Sequence, residues 1–264
     1  MKTAIYQMQV VPGKPEENML KISEFVRLAC ESDKPDVVVL PEMWTTSYTL
    51  KEIHLHADED GKQVVPFLQT LAKSYDVNIV GGSFANKVGG KVYNTAVVVD
   101  RKGTVVYKYD KVHLVPMLQE PDFLEGGQAV PEVFELDGVK AGVIICYDLR
   151  FPELIRPLAL EDAEVLFIVA EWPEARINHW KTLQIARAIE NQMFVVSANS
   201  VGTYDGVTYG GTSLIIDPWG EVLAEGGMDE GVLEAEFDVK LTMEVREKVP
   251  VFTSRVPHLY KSHS

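Results

Sequence analysis

Cysteine is scarce in this 264-residue sequence, which has two, Cys30 and Cys146, far apart in the chain. Two such residues do not make a disulfide framework, so a hydrophobic core must hold the fold. Long apolar runs are also missing. Val143 to Cys146 and Val165 to Ala170 are among the longest, and both are far too short to span a bilayer. Basic residues are outnumbered, 25 Lys and Arg against 39 Asp and Glu, for a net charge of −14. Binding to phosphates needs a basic surface, which argues against nucleic acid and against an anionic membrane as partners. A small anionic substrate is not excluded, because one or two buried cations can set the field in a pocket. No glycine-rich phosphate loop is present, and His54-x-His56 lacks the further ligands of a metal site, so no cofactor or metal is expected. Met1 to Gln7 runs straight into a strand-like segment without the features of a signal peptide, and a cytoplasmic location is the default expectation.

What is present is a balanced globular composition, 46 % hydrophobic and 24 % charged, too apolar for a disordered chain. Short β-branched runs alternate with amphipathic stretches, the α/β pattern. Strands are expected at 3–10, 36–41, 77–83, 92–100, 103–109, 139–145, 164–170, 193–198, 211–217, 220–225 and 231–237. Helices are expected at 16–31, 62–75, 152–162 and 176–191. In the first helix Leu20, Ile22, Phe25, Val26 and Ala29 fall mostly on one face, and Pro35 blocks its continuation. Asp100-Arg101-Lys102-Gly103 and Asp217-Pro218-Trp219-Gly220 read as hairpin turns.

Residues 3–110 read strand, helix, strand, helix, strand, hairpin, and residues 139–225 read the same way. Two similar halves, each a sheet covered on one face by its helices, would pack sheet to sheet as a four-layer αββα sandwich. The linking segment 111–138, with Pro116, Pro121, Gly126, Gly127 and Pro131, reads as a long functional loop. No composition break marks a second domain, so residues 1–264 are expected to form one domain.

Cys146 ends the buried strand Gly142-Val143-Ile144-Ile145, and Pro152 suits the first turn of the helix that follows. Unpaired backbone N–H groups and a helix dipole at such a junction favour thiolate and can bind an oxyanion. The segment alone equally fits a small buried hydrophobe, the commoner fate of a free cysteine. Cys30, late in an amphipathic helix, reads as core packing. A nucleophilic thiol needs a base and a stabiliser of charge. Glu42 lies just past the strand Val37-Val38-Val39-Leu40, where ligands of α/β sheets gather, beside the apolar Leu40, Met43 and Trp44. An apolar setting would raise its pKa towards that of a general base, although its position alone fits a solvated loop residue as well. Lys111 closes the first half and opens the long loop, where its ammonium could hold an oxyanion and pair with Glu42. By itself it is one of 25 Lys and Arg residues.

Taken together, Leu40-Pro41-Glu42, Asp110-Lys111-Val112-His113-Leu114 and Ile145-Cys146-Tyr147-Asp148-Leu149-Arg150-Phe151-Pro152-Glu153 resemble the Glu–Lys–Cys signature of the nitrilase superfamily of carbon–nitrogen hydrolases. The likeness extends to His179-Trp180, to Ala186 through Gln192, and to Asp217 through Ala224, and so spans essentially the whole chain. The resemblance implies the αββα sandwich, catalysis by Glu42, Lys111 and Cys146, and commonly a homodimer, for which the Val249-Pro250-Val251-Phe252 stretch could reach across the interface. It also implies a second glutamate in the loop after the lysine, for which Glu120 is the better match and Glu125 the poorer.

Pro41 to Thr46, Glu171 to Arg176 and His179-Trp180 are most similar to bacterial ω-amidases, especially the branch associated with methionine salvage. That likeness implies hydrolysis of 2-oxoglutaramate to 2-oxoglutarate and ammonia. Other branches act on N-carbamoyl compounds or on deaminated-glutathione-like amides with the same triad, and a partner-binding protein on a hydrolase scaffold is the non-enzymatic alternative. Tyr48 and Arg176 are candidates for the oxo-acid end of the substrate, Tyr147 for the oxyanion, and Trp172 for an apolar wall. Arg176 also fits a surface position at a helix start. Arg150 is expected to order the turn through an ion pair, with Asp148 or a nearby acid.

Overall fold

The computed structural model describes residues 1–260. The first half runs β1 (Lys2–Gln7), α1 (Pro15–Asp33), β2 (Val37–Val39), α2 (Ile53–His56), β3 (Asp58–Glu59), α3 (Val64–Tyr75), β4 (Asn78–Val88), β5 (Lys91–Val99) and β6 (Val105–Asp110). β7 (Phe134–Leu136) follows in the linking segment, and the second half runs β8 (Val139–Ile145), α4 (Pro152–Leu160), β9 (Val165–Ala170), α5 (Ile177–Asn191) and β10 (Phe194–Asn199). It continues with β11 (Val201–Tyr204), β12 (Val207–Gly210), β13 (Leu214–Ile216), β14 (Val222–Glu225), β15 (Gly231–Glu236) and α6 (Leu241–Lys248).

One sheet has the order β15-β1-β2-β4-β5-β6, with β3 beside β4, and the other β14-β13-β10-β9-β8-β7. Each has a parallel centre, β1-β2-β4 or β8-β9-β10, followed by two antiparallel strands. The edges are exchanged: β7, which follows the first half, pairs with β8, and β15, which follows the second, pairs with β1. The repeat expected from element order is therefore real, and each half lends a strand to the other's sheet. Both hairpins close by the same turn chemistry. Gly103 and Gly220 donate backbone N–H groups to Asp100 and Asp217, whose Oδ1 atoms accept two further N–H groups each.

Side-chain alternation along the strands builds the layers. Ile5, Val37 and Val39 face the second sheet, while Ala4, Tyr6 and Val38 face α1 and α3. β1 lies over β10, β4 over β9 and β5 over β8. With α4 and α5 on the far face, the arrangement is the expected αββα sandwich. Ile22, Phe25, Val26 and Ala29 of α1 are buried as expected, each large apolar side chain contributing about 1.5–3 kcal/mol. Leu20 points to solvent instead, because the buried stripe of the helix is narrower than expected.

The other departures are local. β2 is only three residues long, since the chain leaves the sheet at Pro41, which has no N–H for the ladder. The strand expected at 211–217 shrinks to Leu214–Ile216, as Gly211 and Thr212 both take positive φ. β4 and β5 extend into a hairpin around Gly89 and Gly90, and β7, the β11–β12 ribbon and α6 went unanticipated. Of these, α6 buries little more than Thr242 and Val245, too few positions to give a helical pattern. The Phe252 ring packs under the guanidinium groups of Arg156 and Arg246. No helix among the described residues is long and apolar enough to cross a membrane.

Candidate active site

The two sheets place three strand ends side by side. Glu42 follows β2, Lys111 follows β6 and Cys146 follows β8. The Glu42 turn is seated in a bulge of β4 at Gly81-Gly82, where the β4–β5 register shifts. A Cβ on Gly82, which has positive φ, would stand 2.0 Å from the Pro41 carbonyl oxygen. Only glycine lets the turn approach this closely. Ser83 completes the seat: its N–H donates to Pro41 O and its Oγ accepts from Met43 N. Lys111 is fixed by its N–H to Asn94 O, and Gly127 donates back to Lys111 O to close the long loop over it.

Glu42 and Lys111 are fully buried and Cys146 is 4 % exposed. Lys111 Nζ donates to Glu42 Oε1 at 2.8 Å and to Glu120 Oε1 at 2.7 Å. Tyr48 and Asn94 also donate to Glu42 Oε1, at 2.9 and 2.8 Å, and the Glu171 backbone N–H donates to Glu42 Oε2 at 2.8 Å. Glu120 is tied down by the Val115 N–H on its Oε2. Glu125 is excluded from this cluster, since it is exposed and pairs with Lys91. The apolar setting expected around Glu42 is thus replaced by a buried set of donors. Tyr48 is committed to Glu42 and Lys111, so it orients the cluster and does not reach for a distant part of a substrate.

The electrostatics follow from burial. Desolvation alone would draw the Lys111 pKa down, but the carboxylates of Glu120 and Glu42 outweigh it and keep the ammonium charged well above neutrality. Burial pushes the Cys146 thiol far up, and the negative charge of Glu42 and a hydrogen bond to it add to the effect, with Lys111 opposing. The resting group is a thiol facing a carboxylate, not the thiolate expected from the strand–helix junction. Burial also raises the Glu120 carboxyl, against the pull of Lys111.

Cys146 itself has φ +45°, and the chain turns there into a short 3-10 segment, Cys146–Arg150. A non-glycine residue held in that region costs about 1–3 kcal/mol unless its surroundings fix it. Asp148 supplies much of the fixing. Its carboxylate accepts from Tyr109 OH at 2.8 Å, from the His113 N–H at 3.0 Å and from the Ile145 N–H at 3.3 Å. Arg187 adds a hydrogen bond to Leu149 O, and the His113 ring stacks on Phe151.

A cavity opens beside the thiol, walled by Cys146, Tyr147, Arg150, Glu171, Trp172, Pro173 and Arg176, with Val115, Met117 and Leu118 from the long loop. Tyr147, expected at the oxyanion, Trp172, expected as an apolar wall, and Arg176, expected at the oxo-acid end, all line this cavity. Arg150 does not form the expected ion pair, because Asp148 is already occupied. Its guanidinium lies 4.6 Å from the Trp172 ring and 5.7 Å from that of Tyr147, and it has no carboxylate partner among the described residues. Asn94 and Ser47 join the cluster with nothing in their local patterns to distinguish them from structural polar residues, and Glu171 joins it from a segment singled out by resemblance but without a role assigned to it.

A model of the carbon-nitrogen hydrolase family matches residues 2–247. This chain belongs to that family. It is 47 % identical over 254 residues to 2-oxoglutaramate amidase of Bacillus subtilis (strain 168), covering 96 % of this chain and 97 % of the relative. It is 32 % identical to omega-amidase NIT2-B of Xenopus laevis, covering 98 % and 96 % of the two chains. The fold matches that of Saccharomyces cerevisiae Nit3, a member of branch 10 of the nitrilase superfamily, with a TM-score of 0.88, 28 % identity and 96 % of each chain covered. As a carbon-nitrogen hydrolase the chain is an enzyme, and both the family and the sandwich expected from the motifs are borne out.

Proposed function

We propose that this enzyme hydrolyses the terminal amide of 2-oxoglutaramate to 2-oxoglutarate and ammonia through a thioester on Cys146. The observation that carries the reading is the cavity itself. It presents the Cys146 thiol together with Arg150, a half-buried cation that lacks a counter-ion among the described residues. A substrate with an amide at one end and a carboxylate at the other satisfies both groups. Arg150 has the planar fork of donors that suits a carboxylate, and Arg176 adds positive charge on the same wall. The relatives named for 2-oxoglutaramate and ω-amide hydrolysis support this choice of substrate.

In the mechanism, Glu42 takes the Cys146 proton as Sγ attacks the amide carbonyl carbon. Lys111 and a backbone N–H of the Cys146–Tyr147 turn hold the oxyanion of the tetrahedral intermediate. Collapse breaks the C–N bond, and Glu42 returns its proton to the leaving nitrogen, which departs as ammonia. Glu42 then takes a proton from water, whose oxygen attacks the thioester. Collapse releases the acid, and the proton held by Glu42 returns to Sγ. Glu120 orients Lys111 throughout, and Tyr48 and Asn94 hold Glu42 in place.

We further propose that residues 1–264 act as one domain, since the two halves exchange edge strands. The same reading makes the enzyme a cytoplasmic homodimer. Two free cysteines, one of them the nucleophile, suit a reducing compartment. Exposed Ile189, Trp219 and Val249 offer apolar surface for a second copy. Ammonia release from 2-oxoglutaramate, with none from N-carbamoyl amino acids or a deaminated-glutathione-type amide, is the expected assay result. Preference for either of the latter would replace the substrate assignment while leaving the triad intact.

A further inference from the structure

Two residues walling the Cys146 cavity carry buried polar atoms with no hydrogen-bond partner among the described residues, Arg150 Nε and Glu171 Oε2. Arg150 is accounted for above. Glu171 is not. It follows β9, beside the end of β8 that carries Cys146, and is 1 % exposed. Its backbone N–H already holds Glu42 Oε2, so its position is coupled to the base. Its Oε1 lies 2.6 Å from Ser47 Oγ, while Oε2 is left free. No ion pair forms between Glu171 and Arg150 or Arg176, although the three wall the same small cavity. An acid that ignores neighbouring guanidinium groups, stands next to a second carboxylate and has one bare oxygen is unusual, because a buried unpaired polar atom is costly.

We propose that Glu171 is a specificity-determining residue that works as a neutral carboxylic acid, with Oε2 accepting an N–H from the primary carboxamide of the substrate. Ser47 Oγ, which donates to Oε1 of the ionised group, accepts from an Oε1 hydroxyl once the acid is neutral, and Oε2 is then the carbonyl-type acceptor. A substrate amide brings two N–H donors into the cavity, and Glu42, whose oxygens already accept four hydrogen bonds, leaves little acceptor capacity for them. Burial and the charge of Glu42 both favour the neutral form of Glu171. The neutral state matters to the chemistry. A second carboxylate here would oppose the oxyanion, whereas a neutral acceptor binds the amide nitrogen without adding charge.

The inference rests on the amidase reading, and the test separates the two. Wild type, Glu171→Ala and Glu171→Gln are each assayed on a carboxamide and on the methyl ester of the same acid, which acylates Cys146 but offers no N–H. Wild type is expected to hydrolyse both. In Glu171→Ala the kcat/KM for the amide should fall about 10- to 100-fold, while that for the ester changes less than about threefold. Glu171→Gln, a permanently neutral isostere with an acceptor oxygen, should keep the amide rate within about fivefold of wild type. Parallel loss of both activities in Glu171→Ala would make Glu171 merely structural and overturn the inference alone, as would an unchanged amide rate. A Gln variant as impaired as the Ala variant would overturn the neutral-acid assignment. Wild type inactive on both substrates would overturn the amidase reading and this inference with it.

Discussion

Lys111 Nζ lies 2.8 Å from Glu42 Oε1 and 2.7 Å from Glu120 Oε1, and all three side chains are fully buried. A single cation thus neutralises part of two buried carboxylates, and its position towards Cys146 is set by both. Lys111→Met removes that cation and leaves uncompensated charge in the interior. Loss of about 3–5 kcal/mol of unfolding free energy is expected, together with a fall in kcat of about 100- to 1,000-fold. The double variant Lys111→Met with Glu120→Gln should regain part of the stability, because one stranded charge is gone, and none of the activity. Denaturant unfolding and ammonia release measure the two. Equal stability in the single and double variants would contradict the shared-cation arrangement.

Cys146 and Glu42 give opposite responses to one substitution. The thiol pKa is raised by burial first and by Glu42 second. Removing the carboxylate charge with Glu42→Gln should lower it and so increase the thiolate fraction at fixed pH. Alkylation of Cys146 by a small haloacetamide at pH 7 is expected to speed up at least severalfold, each unit of pKa being worth about a factor of ten in thiolate. Turnover should fall to near background in the same variant, since no base remains. Mass spectrometry of the Cys146 peptide follows the first effect. Slower alkylation in the Gln variant would mean that Glu42 activates the thiol at rest.

Much of this arrangement was legible in the sequence because it sits at strand ends. Glu42 and Cys146 each follow an apolar, β-branched run that reads as a buried strand, Lys111 follows the half-buried strand that closes the first half's hairpin, and the repeated element order already set the two sheets face to face. Glu120 was readable only through a family resemblance, since its loop has no periodicity. The misreadings share one physical origin, which is that a side chain's partners come from elsewhere in the chain. Arg150 lost its expected acid because Tyr109, from the first half, and His113, from the linking loop, claim Asp148. Glu42 gained polar company from Asn94, 52 residues away. The strand exchange of β7 and β15 is likewise set by tertiary pairing, and no local pattern encodes it.

Arg150→Met keeps the stacking surface against Trp172 and removes the charge. The KM for 2-oxoglutaramate should rise about 10- to 100-fold with kcat much less affected, because the cation binds a part of the substrate remote from the scissile bond. A neutral amide such as butyramide should show no such rise. Arg176→Ala, at a more exposed position, is expected to have the smaller effect of the same sign. A rise in KM for both substrates would assign Arg150 to the shape of the cavity and not to carboxylate recognition.

Glu171 also makes a prediction about folding that is independent of any substrate. Burial, and then the charge of Glu42, raise its pKa well above 4.5, its ordinary value, with the Ser47 hydrogen bond opposing. In the unfolded chain the group ionises near its ordinary value, whereas in the folded protein it keeps its proton to much higher pH. Between those two points the folded state binds one proton more than the unfolded state, so this residue costs stability as pH rises, by about 1.4 kcal/mol per pH unit. The loss ends only when the folded group itself titrates. Glu171→Gln abolishes this proton and therefore this slope. The difference in unfolding free energy between the Gln variant and wild type should grow in favour of Gln from pH 5 to pH 7, as read from urea midpoints and slopes at each pH. A difference that stays constant over that range would show that Glu171 is ionised in the folded enzyme at neutral pH, and with it the case for a neutral acceptor beside Glu42 would fail.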